Sequence, residues 1–403
     1  MDSSIKIFNK RFTIALLFFF ISALYGWLLR LQKVTPIPDF KYAHFIQAHS
    51  HVTFLGWGFL AVMGLVGLLY LPEKTANKAY TSVFYIMVGS LVGLLVSFPI
   101  QGYKLFSILF LSTFLLSSYV YLLMIYRDIK QLSSFSTRFI KTGIFYYFLS
   151  SMAIWAVAFI TIKFGKTDLY HNAIYFYLHF LYNGFFVFIL FGLLFRYFEI
   201  KEHLINAKYI SQFYRFTNFA VIPAYALSLL WNEMPIYVVF IGLAAVILQL
   251  ISLYYLYKIN KKIRSFIKDN KLSVFIVTLV FISYFLKIIL QFFSAFPPIT
   301  IIAVQYKSFF VIGYIHLFTL GFMSLFVFLL VQIHTQYKVS KLGLQFLISG
   351  IITSELLLFT QGALYYILQY NIPLFNRWLI LVSFLMPLGI FILVLAAFPI
   401  SRK

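Results

Sequence analysis

Along the chain, long apolar runs alternate with short polar ones, and no stretch sustains a two-residue alternation. The runs fall at roughly 12–31, 43–71, 79–100, 104–126, 139–162, 169–198, 211–231, 235–257, 272–294, 303–333, 342–368 and 375–398. Each is about 20 residues or longer, the length an α-helix needs to cross a hydrocarbon core about 30 Å thick. A membrane barrel would show shorter, alternating segments instead. The pattern predicts an all-α polytopic membrane protein of about 12 transmembrane helices, with residues 1–403 as a single membrane domain. Runs 2, 6 and 10 are long ones, and the connections are too short for an extramembrane domain.

Composition agrees. The chain is 63% hydrophobic and 10% charged, with a mean hydropathy of +0.94, which leaves too little polar surface for a soluble fold. The net charge of +22 raises the question of nucleic acid, but its distribution answers it. With the N-terminus inside, only Arg30, Lys33, Lys41, Lys104, Lys163, Lys166, Lys307 and Arg377 fall in outer segments, and Lys287 lies within a run. The other basic residues, among them Lys338, Arg402 and Lys403, gather on the inner side, as positive residues do in cytoplasmic loops. The expected partner is therefore the lipid bilayer and not nucleic acid. The expected location is the plasma (inner) membrane, with both termini cytoplasmic. The first run lacks a small-residue cleavage site and reads as a retained helix. Cysteine is absent, which excludes disulfides, thiolate ligation, iron–sulfur clusters and covalent haem attachment.

Three stretches share a pattern: "HVTFLGW" from His51, "HFLYNGF" from His179 and "HLFTLGF" from His316. Given 19 Gly, 51 Phe and 5 Trp in 403 residues, eight histidines should produce about 0.05 such matches by chance. The copies are 128 and 137 residues apart (51 to 179, 179 to 316) and fall in runs 2, 6 and 10. That spacing predicts three four-helix units related by a pseudo-threefold axis, with equivalent residues at equal depth. The three histidines sit in the outer half of the bilayer, roughly 12–20 Å below its outer edge at 1.5 Å per residue. On an α-helix the glycine five residues on lies about 140° around from the histidine. Its expected role is to let a neighbouring helix approach closely.

A histidine in hydrocarbon either bonds to a neighbouring helix or serves chemistry. Three equivalent ones at one depth favour metal or haem ligation, for which neutral imidazole is well suited. His49 is two residues from His51 and points to the opposite side of an α-helix, which makes it a supporting contact and not a co-ligand of the same metal. His44 and His171 read as interfacial. His203 and His334 lie at the inner side and carry no assignment. Lys287 and Glu355 are charges well inside runs 9 and 11; a mutual ion pair is the expected reading, with a proton path as the alternative.

Twelve spans, a threefold arrangement and histidines in spans 2, 6 and 10 resemble subunit I of the haem–copper oxidases. "HSHVTFLGW", "HFLYNGF" and "HLFTLGF" are more similar to the reduced, subunit-I-like proteins that include the NnrS family. The resemblance implies haem b, with copper as a second cofactor, and other respiratory membrane subunits as partners. By position, His51 (or His49) matches the span 2 ligand of a low-spin haem, His316 a span 10 ligand, and His179 the span 6 copper ligand. Arg377, in "NRW" before span 12, matches arginines that meet haem propionates; the alternative is an interfacial anchor beside Trp378. The departures are equally specific. Span 7 has no histidine, Phe318 stands where the family has a second span 10 histidine, and Asn183 stands where many members have a tyrosine. A full binuclear centre cannot be assembled from these residues, so oxygen reduction is not expected.

The resulting expectation is a haem-binding membrane redox protein of oxidase-like fold, linked to respiration or nitric oxide metabolism by analogy alone. Two alternatives stand beside it. A secondary transporter usually shows two six-span halves, whereas this chain repeats every four spans. A non-enzymatic haem sensor or assembly protein would use the same residues.

Overall fold

The structure, a computed structural model, describes residues 2–202, 205–335, 337, 339–370 and 372–397. His203, Lys338, Arg402 and Lys403 lie outside the described residues. The helices follow the apolar runs in order: α1 (Asp2–Leu31), α2 (Tyr42–Tyr70), α3 (Lys78–Gln101), α4 (Leu105–Ile129), α5 (Phe135–Phe164), α6 (Asp168–Ile200), α7 (Ala207–Ala224), α8 (Ile236–Phe266), α9 (Lys271–Ser294), α10 (Phe310–His334), α11 (Lys341–Leu368) and α12 (Pro373–Ala397). No strand occurs among the described residues.

Among the described residues, 11 of these helices are long and apolar enough to cross a membrane. The exception is α7. Lys208, Gln212, Arg215 and Asn218 dilute its apolar character, and Pro223 lies in its last turn. A proline there lacks the N–H that would continue the helix, and the chain goes on as a tighter 3₁₀ stretch, Tyr225–Leu229. Other boundaries move as well: α1 begins at Asp2, before its apolar run, and α8 continues past its run to Phe266. The run predicted from 303 begins as a helix only at Phe310, because residues 303–305 belong to a separate short helix, Pro297–Gln305, opened by two prolines.

Burial sorts the helices by role. In α2, α6 and α10, 83%, 94% and 78% of the most apolar window is buried, against 39–50% in the other eight candidate spans. Helices apolar on every side can be buried or can face lipid. The exposed Val96, Ile100, Phe106 and Phe240 mark faces of α3, α4 and α8 suited to acyl chains. The three helices carrying the repeated histidines are thus interior ones.

By its internal contacts the chain divides into two compact units: Met1–Ile129 with Leu330–Lys403, and Lys130–Leu329. In the first, α1 packs on α2 and α12, α3 on α4, and α11 on α12. The last contact is close: a Cβ at Gly343 would come 2.8 Å from the Gly389 carbonyl oxygen, the small-residue packing usual in membranes. Near its basic end, Arg11 donates to the Thr75 carbonyl at 2.8 Å, and Lys74 pairs with Asp128 at 3.0 Å. In the second unit, α5 packs on α6, α7 on α8, and α9 on both α8 and α10. At its basic end the Glu199 carboxylate accepts from the Ser136 backbone N–H and hydroxyl at 3.0 and 2.5 Å.

Candidate functional site

Each repeated histidine is the last α-helical residue before a π-helical stretch. His51 precedes Val52–Phe59, His179 precedes Phe180–Phe186, and His316 precedes Leu317–Ser324. In a π-helix the hydrogen bonds run i→i+5, and such stretches occur mostly as short insertions at functional sites. The wider winding replaces the α-helical angle between His and Gly anticipated from the sequence. It also disturbs the carbonyl ladder, and a side chain answers in each copy. Thr53, Asn183 and Thr319 each donate to the carbonyl four residues back, at 2.7, 3.2 and 2.8 Å.

The glycine and aromatic of the repeat have a packing role, the same in all three copies. A Cβ on Gly56 would come 2.9 Å from Phe18 Cβ, one on Gly184 2.5 Å from Tyr146 Cβ, and one on Gly321 2.7 Å from Ser283 Oγ. Each partner lies on the preceding long helix, 38 residues before its glycine (18 to 56, 146 to 184, 283 to 321). The aromatics keep the same register. Trp57 stacks on Phe19 at 4.4 Å, Phe185 meets Tyr147 at 5.0 Å, and Phe322 meets Tyr284 at 5.0 Å. All three are completely buried. The expected close approach at the glycine is therefore what the structure shows. The Gly–aromatic half of the motif docks a helix.

In the first unit two imidazoles are held in different ways. His49 Nδ1 donates to the Ser22 carbonyl on α1 at 2.7 Å. That bond fixes the tautomer and turns the Nε2 lone pair outward, the arrangement typical of metal-binding histidines. Among the described residues Nε2 of His49 has no hydrogen-bond partner. The ring lies against Gly26, where a Cβ would come 2.8 Å from His49 Cε1. His51 Nδ1 donates to the Gln47 carbonyl at 2.8 Å, and its Nε2 accepts from the Tyr103 hydroxyl at 2.8 Å. Both nitrogens of His51 are thus engaged, and Phe98 covers its ring at 4.8 Å. His49 thus has the open lone pair, and His51, the ligand expected from sequence, is the more fully bonded neighbour. Nearby, His44 Nδ1 bonds the Pro99 carbonyl at 3.2 Å.

In the second unit His179 is buried, 4% exposed. Its Nε2 donates to the Val221 carbonyl at 2.7 Å, and its Nδ1 accepts from Asn183 Nδ2 at 3.2 Å. The acceptor is available because the tightening after Pro223 directs the Tyr225 N–H to Ile222, leaving the Val221 carbonyl for another donor. Asn183, noted in the sequence only as a departure from a tyrosine, orients the ring. Lys287 is also buried here; its ammonium is 5.4 Å from the Tyr284 ring centroid and acts electrostatically on His179. An imidazole with both nitrogens used, beside a fixed cation, does not fit a copper ion. Among the described residues no group of three or more His, Asp or Glu is arranged to hold a metal. His316 closes the α-helical part of α10 before its π stretch and is partly exposed.

The remaining candidates separate. Glu355 lies in the first unit, where its carboxyl interacts electrostatically with Arg30 on α1. Lys287 belongs to the second unit. Arg377 is exposed in the first turn of α12, beside the exposed Trp378. His171 is exposed, with its edge toward Trp231 at 5.7 Å. His334 ends α10. Ser22, Gly26 and Tyr103 were not anticipated. Ser22 and His49 were within reach, since the spacings that align the repeats also align Ser22 with Ser150 and Lys287, and His49 with Tyr177 and Tyr314.

Neither a comparison with protein-family models nor one with curated proteins finds a match. Among solved structures, a heme–copper terminal oxidase dimer seen by cryo-electron microscopy is similar. The match covers 100% of this chain and 85% of that one, with a TM-score of 0.67 and 11% sequence identity. At that identity the likeness is one of fold. The chain is an all-helical polytopic membrane protein with a haem–copper-oxidase-like fold.

Proposed function

We propose that this protein is a haem-binding membrane redox protein that holds haem b through imidazole. The observation that carries this reading is His49: one nitrogen is locked to the Ser22 carbonyl, the other is open, and Gly26 makes room for the ring. The Nδ1–H bond sets which nitrogen faces a ligand and raises its basicity. His316, which aligns with His51 in the third repeat copy, is the second imidazole ligand that the resemblance proposes. His51 has a supporting role, and Arg377 remains the proposed partner of a haem carboxylate. A b-type haem with two imidazole ligands supplies one-electron transfer from a closed coordination sphere. The short motifs "HSHVTFLGW", "HFLYNGF" and "HLFTLGF" support kinship with NnrS-like proteins and a role in respiration or nitric oxide metabolism. The basic connections support a plasma-membrane orientation with both termini cytoplasmic.

The test is an optical spectrum of protein purified after expression with ample haem. The expected result is a bis-imidazole b-type spectrum that His316→Ala abolishes. Haem-free protein, or a spectrum that survives loss of His316, contradicts the proposal. Electron transfer from a quinol or reduced mediator separates a redox protein from a sensor binding the same haem.

A further inference from the structure

We propose that the surroundings of Lys287 in the second unit form a binding site for a small monovalent anion, so that an organic cation stands where the resemblance places copper. Lys287 is 2% exposed on α9. Its ammonium has no hydrogen bond or ion pair among the described residues, only the face of Tyr284. The acidic residues of its unit (Asp168, Glu199, Glu202, Glu233 and Asp269) all lie at helix ends or in connections. A buried ammonium without a counter-charge is expensive, and intramembrane cations are ordinarily paired. A bound anion supplies the missing charge.

The neighbouring groups suit that ligand. The Tyr284 ring lies against the Lys287 ammonium at 5.4 Å, and its hydroxyl can donate. One turn along α9, Gln291 is buried and carries an amide NH2 donor. Ammonium, phenol and amide are donors without a carboxylate among them, which is anion chemistry. The same charge repels a copper ion, and His179 has no lone pair to offer one.

The repeat shows that the feature belongs to one copy. Lys287 stands in register with Ser22 and Ser150, and Tyr314 with His49 and Tyr177. The first copy places an imidazole against a carbonyl at these positions; the third carries a phenol and a buried lysine there.

The inference does not depend on haem. Equilibrium dialysis of the full-length protein in uncharged detergent, with labelled chloride and with nitrite at millimolar concentration, tests it. A single saturable site is expected, retained in Lys287→Arg and lost in Lys287→Met, with haem content unchanged in both. Metal analysis after exposure to copper is expected to find none retained. No binding of either anion by the parent protein, unchanged binding in Lys287→Met, or stoichiometric copper would overturn it. Loss of haem alone bears on the haem reading and leaves this one standing.

Discussion

His49 and His179 are both membrane-depth histidines near a copy of the same motif, and they are held in opposite ways. His49 is partly exposed and spends one nitrogen on the Ser22 carbonyl. His179 is buried and spends both, on Val221 and Asn183, with Lys287 nearby. One keeps a ring nitrogen open; the other is a satisfied core residue. A repeated histidine is therefore no guide to function until each ring nitrogen has been accounted for. The contrast comes from the helix packed alongside. In the first unit α1 offers a carbonyl and the bare backbone of Gly26. In the second, the break at Pro223 frees a carbonyl that takes the second nitrogen.

The comparison can be broken at several points. The largest effect is expected at Gly26→Ala, whose new methyl would come 2.8 Å from His49 Cε1. Displacing the ring by that contact should lower haem affinity roughly tenfold or more, at about 1.4 kcal/mol per decade. Haem titration checks it, and full affinity in a folded variant would remove His49 as ligand. Gly184→Ala strikes the packing half of the motif. Its Cβ would fall 2.5 Å from Tyr146, so a stability loss of about 1–3 kcal/mol is expected from overpacking. Thermal unfolding in detergent should show this loss, while the bound haem keeps an unaltered spectrum. Asn183→Ala removes the donor to His179 Nδ1 and should cost about 1–2 kcal/mol, again without spectral change. A haem spectrum sensitive to Asn183 would make His179 a ligand after all. The smallest effect belongs to Tyr103→Phe, which deletes a bond at an exposed tyrosine and should cost about 1 kcal/mol or less. Enhanced haem uptake in that variant would mean that the hydroxyl had been competing for a ligand nitrogen, and would favour His51.

Much of the fold was legible because hydrocarbon imposes it. Length and apolarity fix a spanning helix whatever its neighbours do, so the predicted runs and the observed helices agree within a few residues at most ends. Two disagreements arise where proline intervenes, at Pro223 in α7 and at Pro297 and Pro298 before α10; two others are polar extensions of the helix beyond the apolar run, at the start of α1 and the end of α8. The threefold repeat was legible too, but the meaning of its parts was not. Assuming α-helical angles put Gly56 far around from His51; the π winding that follows each histidine has no plain composition signal. The choice between His49 and His51 depended on Ser22 and Tyr103, each far off in sequence. For Glu355, intramembrane charge says that a partner is needed but does not name one; within the first unit its carboxyl interacts electrostatically with Arg30.

The central claim is that His49, and not its neighbour two residues on, binds haem in the first unit. Haem spectra of His49→Ala and His51→Ala, purified side by side at equal protein concentration, test it most directly. The account predicts that His49→Ala eliminates the bis-imidazole spectrum, whereas His51→Ala retains it with at most a modest loss of occupancy. An intact spectrum in His49→Ala together with an abolished one in His51→Ala would contradict it.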